Sequence, residues 1–264
     1  MKAVKREEEA LFNAQLYILA VVVGAVLGSF LNVCIYRLPR GESIVYPPSR
    51  CPHCHTPIRW WQNIPIVSFF LLKGRCSWCQ TPIAFRYPLV EAISAGVTLL
   101  VVSRDGSLLH MLWAEVFLLS LIVAFFVDID FMIIPDTISL GGIVWGAAAS
   151  LVGASMVPPL QMGLGILVCG GIFLAVALLV PHGMGGGDVK LAAMFGANLG
   201  LAKGLLAMFL GVCYGSVIGV LLLSLRLKSR KDRIPFGPFL VIGAYTSYLW
   251  GGELIRWYAR LTGF

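Results

Sequence analysis

Residues 137–187 contain no charged side chain, 51 consecutive positions ending at Asp188. No ordinary soluble helix or strand is that long and that apolar. A bilayer crossing takes about 20 apolar residues as a helix, so this stretch has room for two passes, with Pro158-Pro159 as the turn between them. Charge is absent from residues 10–36, 204–225 and 234–252 as well, and 89–103 and 109–127 hold one glutamate each. Only 12% of the 264 residues are charged, and 58% are hydrophobic. Soluble domains carry about 25% charged residues, so disorder, a coiled coil and a soluble nucleic-acid binder are excluded. With 189–202 added as a short or tucked-in helix, the pattern predicts an all-α polytopic membrane protein of about eight transmembrane helices. The first apolar run is too long for a cleavable signal peptide and lacks a small-x-small cleavage site.

Positive charge sets orientation. The loop 37–88 carries Arg37, Arg40, Arg50, Arg59, Lys73, Arg75 and Arg86, and the loop 226–233 carries Arg226, Lys228, Arg230, Lys231 and Arg233. With eight passes both loops lie on one side, which the rule assigns to the cytoplasm. The net charge of +7 therefore reports orientation in a bilayer and not a nucleic-acid partner. The expected organisation is residues 1–36 as the amino-terminal segment and first span, 37–88 as a cytoplasmic loop, and 89–264 as the membrane core.

Within that loop, Cys51-Pro52-His53-Cys54 and Cys76-Ser77-Trp78-Cys79 form two C-x2-C knuckles. Each two-residue gap can direct both thiolates at one ion, which is the spacing of a tetrahedral structural zinc site. The other readings are a disulfide or a thioredoxin-like redox pair. A cytoplasmic loop disfavours stable disulfides, and no βαβ pattern surrounds either pair. Four thiolates would leave no open position for water, so the zinc holds the loop together and His53 and His55 are not needed. Cys34, Cys169 and Cys213 stand singly in apolar spans and read as packing residues.

Carboxylates are scarce, and an ionisable group inside a membrane is a functional candidate. Asp128 closes the third span and Asp188 follows Gly185-Gly186-Gly187. The third and fifth spans end on the same side, so the two aspartates meet at one depth although far apart in the chain. Two carboxyl groups sharing a site do not both ionise cheaply. One can then take a proton from water while the other hydrogen-bonds a peptide carbonyl, as in aspartic proteases. The glycines offer backbone freedom for a substrate strand to approach. Asp130 lies roughly 200° around the helix from Asp128 and reads as interfacial, and Asp136 reads as the cap of the next helix. Glu91 and Glu115 are expected to pair with Arg86 or line a cavity. His110 and His182 stand alone, and the glycine run lacks the Lys-Ser/Thr of a phosphate loop. The rival reading is an ion-coupled transporter using paired carboxylates as a proton relay; it calls for an inverted repeat, and the cysteine loop has no counterpart in the second half.

At these residues the chain resembles the bacterial type IV prepilin peptidases, which cleave and N-methylate. The likeness runs in order through Gly28-Ser29-Phe30-Leu31-Asn32-Val33, Arg37-Leu38-Pro39, both knuckles, Asn63-Ile64-Pro65, Arg86-Tyr87-Pro88-Leu89-Val90-Glu91, Ile134-Pro135-Asp136, Gly185-Gly186-Gly187-Asp188 and Ile234-Pro235-Phe236-Gly237-Pro238. The resemblance implies eight transmembrane helices in the bacterial inner membrane. It implies cleavage of the basic leader of type IV prepilins or type II secretion pseudopilins after a glycine at the cytoplasmic face, with Asp128 and Asp188 catalytic. It also implies methylation of the new amino terminus by S-adenosylmethionine, near a Gly-Lys pair that here is Gly74-Arg75. Arginine differs from lysine in geometry.

Overall fold

The computed structural model describes residues 2–104, 106–180, 184–229, 232 and 234–263. His182, Gly183, Arg230, Lys231 and Arg233 lie outside the described residues. Among the described residues eight α-helices form: α1 Lys2–Arg37, α2 Val67–Leu71, α3 Arg86–Arg104, α4 Leu108–Phe131, α5 Asp136–Leu151, α6 Pro159–Leu179, α7 Gly186–Ser224 and α8 Gly237–Thr262. No strand appears among the described residues, only two isolated bridges, Arg50 with Pro57 and Arg75 with Pro82. Among the described residues five segments are long and apolar enough to cross a membrane: Asn13–Arg40, Arg86–Arg104, Leu108–Phe131, Pro159–Leu179 and Gly186–Ser224.

The helix boundaries differ from the expected ones where charge misleads. The pieces expected at 189–202 and 204–225 are two arms of α7, bent at Gly200, whose φ of 75° and ψ of −178° interrupt the helix. Glycine tolerates this left-handed φ without steric penalty. The expected turn at the proline pair is present, with Pro158 as N-cap of α6 and Pro159 in its first turn. At 16 residues, α5 is about 24 Å long, shorter than an ordinary crossing. The short α2, inside the cysteine loop, lies in the apolar run Ile66-Val67-Ser68-Phe69-Phe70-Leu71-Leu72, which is too short to register as a span.

The chain forms two compact units, Met1–Glu115 and Val116–Phe264. In the first, α1 and α3 touch through small residues: a Cβ on Gly28 would fall 2.6 Å from Glu91 Cα, and one on Gly24 would fall 2.5 Å from Thr98 Oγ1. Glu115 Oε1 accepts from Thr98 Oγ1 at 2.5 Å. Glu91 Oε2 accepts from the Ile66 amide at 2.6 Å.

In the second unit α7 is central, with α5, α6 and α8 packed on it. At the α6–α7 crossing a Cβ on Gly165 would fall 2.4 Å from Gly196 O, so the two backbones are in contact. Small residues allow this approach where apolar lipid gives helices no hydrophobic reason to associate. Between α5 and α7, the buried Asn198 Nδ2 donates to the carbonyls of Gly142 and Met194, each at 2.9 Å. Asn198→Ala removes the amide that bridges the Gly142 and Met194 carbonyls, which keep their own helix partners, and opens a hole beside Gly146. The expected loss is about 1–2 kcal/mol, measured by denaturant unfolding in bicelles.

Candidate active site and metal centre

Asp128 lies in the last turn of α4 and Asp188 in the first turn of α7, both in the second unit. Asp128 is buried, 6% exposed, while Asp130 is exposed, as the helical angle between them requires. After Phe131 the chain leaves the helix through Met132, at φ 54°, and runs to Pro135, the N-cap of α5. This connection carries Ile134 onto the glycine run: a Cβ on Gly187 would fall 3.1 Å from Ile134 Cβ. The two aspartate-bearing helix ends are therefore fitted together by that contact, and Asp128 acts electrostatically on Asp188.

Backbone amides hold both carboxylates. Gly237 N, at the start of α8, donates to Asp128 Oδ2 at 2.9 Å. Gly185 N donates to Asp188 Oδ2 at 3.3 Å, so Asp188 caps its own helix from the third position. Tyr245 Oη donates to Leu118 O at 2.7 Å, a second tie between α8 and α4. A Cβ on Gly237 would fall 2.7 Å from Asp128 Oδ2, which leaves room there for glycine alone.

Two expectations need correction. None of Gly185, Gly186 and Gly187 has a positive φ, so the run is not required for backbone freedom; Gly187 instead lies in a tight approach to Ile134. Asp136 is not a cap: Pro135 holds that place, and Asp136 Oδ1 instead accepts from Lys190 Nζ at 2.6 Å. Sequence reasoning passed over Ile134, Lys190 and Gly237. Ile134 and Gly237 had a visible signal, in Ile134-Pro135-Asp136 and Phe236-Gly237-Pro238; Lys190 had none.

The four cysteines of the first unit come together. Their sulfurs all lie within 4.8 Å of one another, and Cys51 Sγ is 3.8 Å from Cys79 Sγ. Zinc–sulfur bonds of about 2.3 Å in a tetrahedron give sulfur–sulfur edges of about 3.8 Å, so the cluster could hold zinc. The two knuckles are copies. In the first, Cys51 N donates to Thr56 O and His55 N to Cys51 O; in the second, Cys76 N donates to Thr81 O and Gln80 N to Cys76 O. His55 and Gln80 take matching positive φ of 56° and 58°. Thr56 Oγ1 lies 3.3 Å from Cys54 Sγ, and Thr81 Oγ1 3.3 Å from Cys79 Sγ. The signal was Arg-Cys-x-x-Cys-x-Thr-Pro-Ile, present at Arg50 and again at Arg75.

These surroundings split the thiols. Burial pushes Cys51 up to about 11. The Thr81 hydroxyl brings Cys79 down to about 6, and the Thr56 hydroxyl holds Cys54 below its ordinary value. Gly74 and Arg75 form the lead-in to the second knuckle. Gly74 has φ 65°, its amide donates to Phe69 O and its carbonyl accepts from Ile83 N. Arg75 is exposed. A cavity of 300 Å³ in the same unit is walled by Ser29, Phe30, Arg37, Pro47 and Asn63 among others, but not by Gly74 or Arg75. The buried Arg37 is committed to the carbonyls of Ser43 and Pro47, at 2.8 and 2.7 Å.

Residues 22–104 match the bacterial peptidase A24 N-terminal domain and residues 115–220 the type IV leader peptidase family. The four cysteines fall in the first match and both aspartates in the second. A Legionella pneumophila protein named prepilin leader peptidase/N-methyltransferase is 32% identical, over 92% of this chain and 94% of its own. One of the same name from Aeromonas hydrophila is 34% identical over 93% and 94%, and one from Bacillus subtilis strain 168 is 34% identical over 91% and 96%. The transporter reading draws no support from these matches. No solved structure matches the chain.

Proposed function

The chain belongs to the type IV leader peptidase family, and from that premise we propose that it cleaves the basic leader from type IV prepilins or type II secretion pseudopilins and methylates the new amino terminus. The observation that supports cleavage is the fitting of the α4 end to the α7 start through Ile134 and Gly187, the two helix ends that carry Asp128 and Asp188. In this reading the ionised carboxylate takes a proton from a water whose oxygen attacks the scissile carbonyl carbon. The protonated one donates to the carbonyl oxygen. Collapse of the tetrahedral adduct breaks the C–N bond, and the departing amine takes up a proton. The amides of Gly237 and Gly185 aim the carboxylates. The protein is a multi-pass inner-membrane enzyme whose site faces the cytoplasm, where a basic leader followed by an apolar segment presents its junction.

Gly237→Ala keeps both aspartates but drives a methyl into the Asp128 carboxyl. A displacement near 1 Å costs roughly 10²-fold in rate, so kcat is expected to fall by about that factor with KM little changed. Equal kcat would show that the Asp128–Gly237 bond does not position the carboxyl.

Zinc, held by Cys51, Cys54, Cys76 and Cys79, is assigned a structural part. S-adenosylmethionine supplies an electrophilic methyl group when bound. Gly74-Arg75 offers it one exposed guanidinium, suited to its carboxylate. The deciding experiment uses purified full-length protein in phospholipid vesicles with a prepilin and methyl-labelled S-adenosylmethionine. Loss of the leader after a glycine, followed by label on the new amino terminus, is expected. An intact prepilin that a named relative cleaves in parallel would overturn the proposal, and cleavage without label would leave a peptidase alone.

A further inference from the structure

Glu91 ties the short helix α2 to the beginning of a membrane span. Its Oε2 accepts from the amide of Ile66, the residue on which α2 starts. Glu91 belongs to the second turn of α3, which begins at Arg86, so it sits about 7–8 Å along the helix. Since α3 is apolar enough to cross a bilayer, α2 is held beside the end of a span and not out in the aqueous loop. Ile66 is there at φ 62°, a costly conformation for a β-branched residue. The tertiary bond holds this turn against local preference.

The face that α2 turns outward is apolar. Val67, Phe70 and Leu71 stand at positions i, i+3 and i+4, hence on one side, and are 51%, 65% and 69% exposed. Phe85, 64% exposed, immediately precedes α3, and its ring joins Phe70 through Phe69, with centroid separations of 6.1 and 5.7 Å. Lys73 and Arg75 follow α2, both exposed. The whole loop 37–88 sets seven basic residues against one acid, Glu42.

We propose that α2 is an interfacial foot. Its Val67-Phe70-Leu71 face rests at the boundary of headgroups and acyl chains in the leaflet where α3 begins, and Lys73 and Arg75 lie over anionic phospholipid headgroups. Aromatic and apolar side chains beside basic ones are what that layer accepts. The charge decides against a pilin as occupant, because a basic leader would meet a basic rim. The foot fixes the cysteine loop to the membrane plane, the plane at which a membrane-borne amino terminus emerges. The proposal stands on the first unit alone and does not depend on the peptidase reading.

The test reconstitutes the full-length protein, with Phe70→p-benzoylphenylalanine, into vesicles of phosphatidylethanolamine with a minority of phosphatidylglycerol. Irradiation is expected to place phospholipid on the α2 peptide. The yield should be several-fold above that in vesicles without phosphatidylglycerol and unchanged by saturating prepilin. Adducts with prepilin, no lipid adduct, or a yield indifferent to phosphatidylglycerol would overturn it. The unsubstituted protein gives a second reading by hydroxyl-radical footprinting in the same vesicles. Phe70 should be oxidised within about threefold of Phe30, which lies in a span; a larger excess places α2 in water and ends the proposal.

Discussion

Asparagine at either Asp128 or Asp188 is expected to abolish prepilin cleavage, lowering its rate by roughly 10²–10⁴-fold or below detection, in a protein that remains folded. The substitution is nearly isosteric, and an amide oxygen can still accept from Gly237 N or Gly185 N, the two bonds that hold these side chains. What it loses is proton exchange: an amide neither takes a proton from water nor gives one to the leaving amine. Stability should hold or rise slightly, because a neutral amide ends any repulsion between the two carboxyl groups. Groups that act as a unit are not additive, so Asp128→Asn with Asp188→Asn should be no slower than either alone. Asp130→Asn and Asp136→Asn, both at exposed positions, should stay within a few-fold of the parent. Cleavage rates for the five proteins, with unfolding midpoints alongside, check all of this. Retained processing in either catalytic variant would remove the dyad.

The expectation that these aspartates meet was legible in span parity alone: an even number of crossings returns the chain to the same side. The parts that fit them together were not. Ile134 is one isoleucine among many, and Gly187 is one glycine of 29; their contact depends on how α4 and α7 cross. Charge marked most helix ends correctly and failed at Lys203. There the helix bends at Gly200 instead, and the Lys203 stem lies along α8, where a Cβ on Gly251 would fall 3.3 Å from its Cγ. Its carbonyl accepts from Ser247 Oγ at 2.7 Å, so the lysine continues a packed helix. The cysteines were readable by spacing alone, whereas the threonines beside them were hidden in a repeat that is visible only once both knuckles are aligned. The five residues of α2 are too few for a periodicity to register.

Removing the metal is expected to unfold the cysteine loop. Between Cys51 and Cys79 the loop is two turns facing one another across four sulfurs, with a 3-10 turn at Trp60–Asn63 and the short α2 between them and Gln62 Nε2 bonded to Ser77 Oγ at 2.6 Å as a further tie. A structural zinc in so small a unit contributes apparent binding energy of about 10–16 kcal/mol at neutral pH, far more than that hydrogen bond. Purified protein should therefore hold about one zinc per chain, and Cys→Ser at any of the four positions should lose most of it. A strong chelator should free the backbone at Arg59, Lys73 and Arg75, whose side chains are already exposed, so that trypsin cuts there at least about tenfold faster than before. Affinity should also fall with acidity in a defined order. A metal must displace the proton from Cys51, whose thiol stands near 11, at any neutral pH. Below about 6 it must displace one from Cys79 as well. Each added proton steepens the dependence, so the slope of log affinity against pH should increase as pH drops through 6. Thr81→Val removes the hydroxyl that lowers Cys79 and should move that break upward, toward the ordinary thiol range. Metal-free protein with a trypsin-resistant loop would show that the turns stand without an ion, and the four sulfurs would then have some other reason to converge.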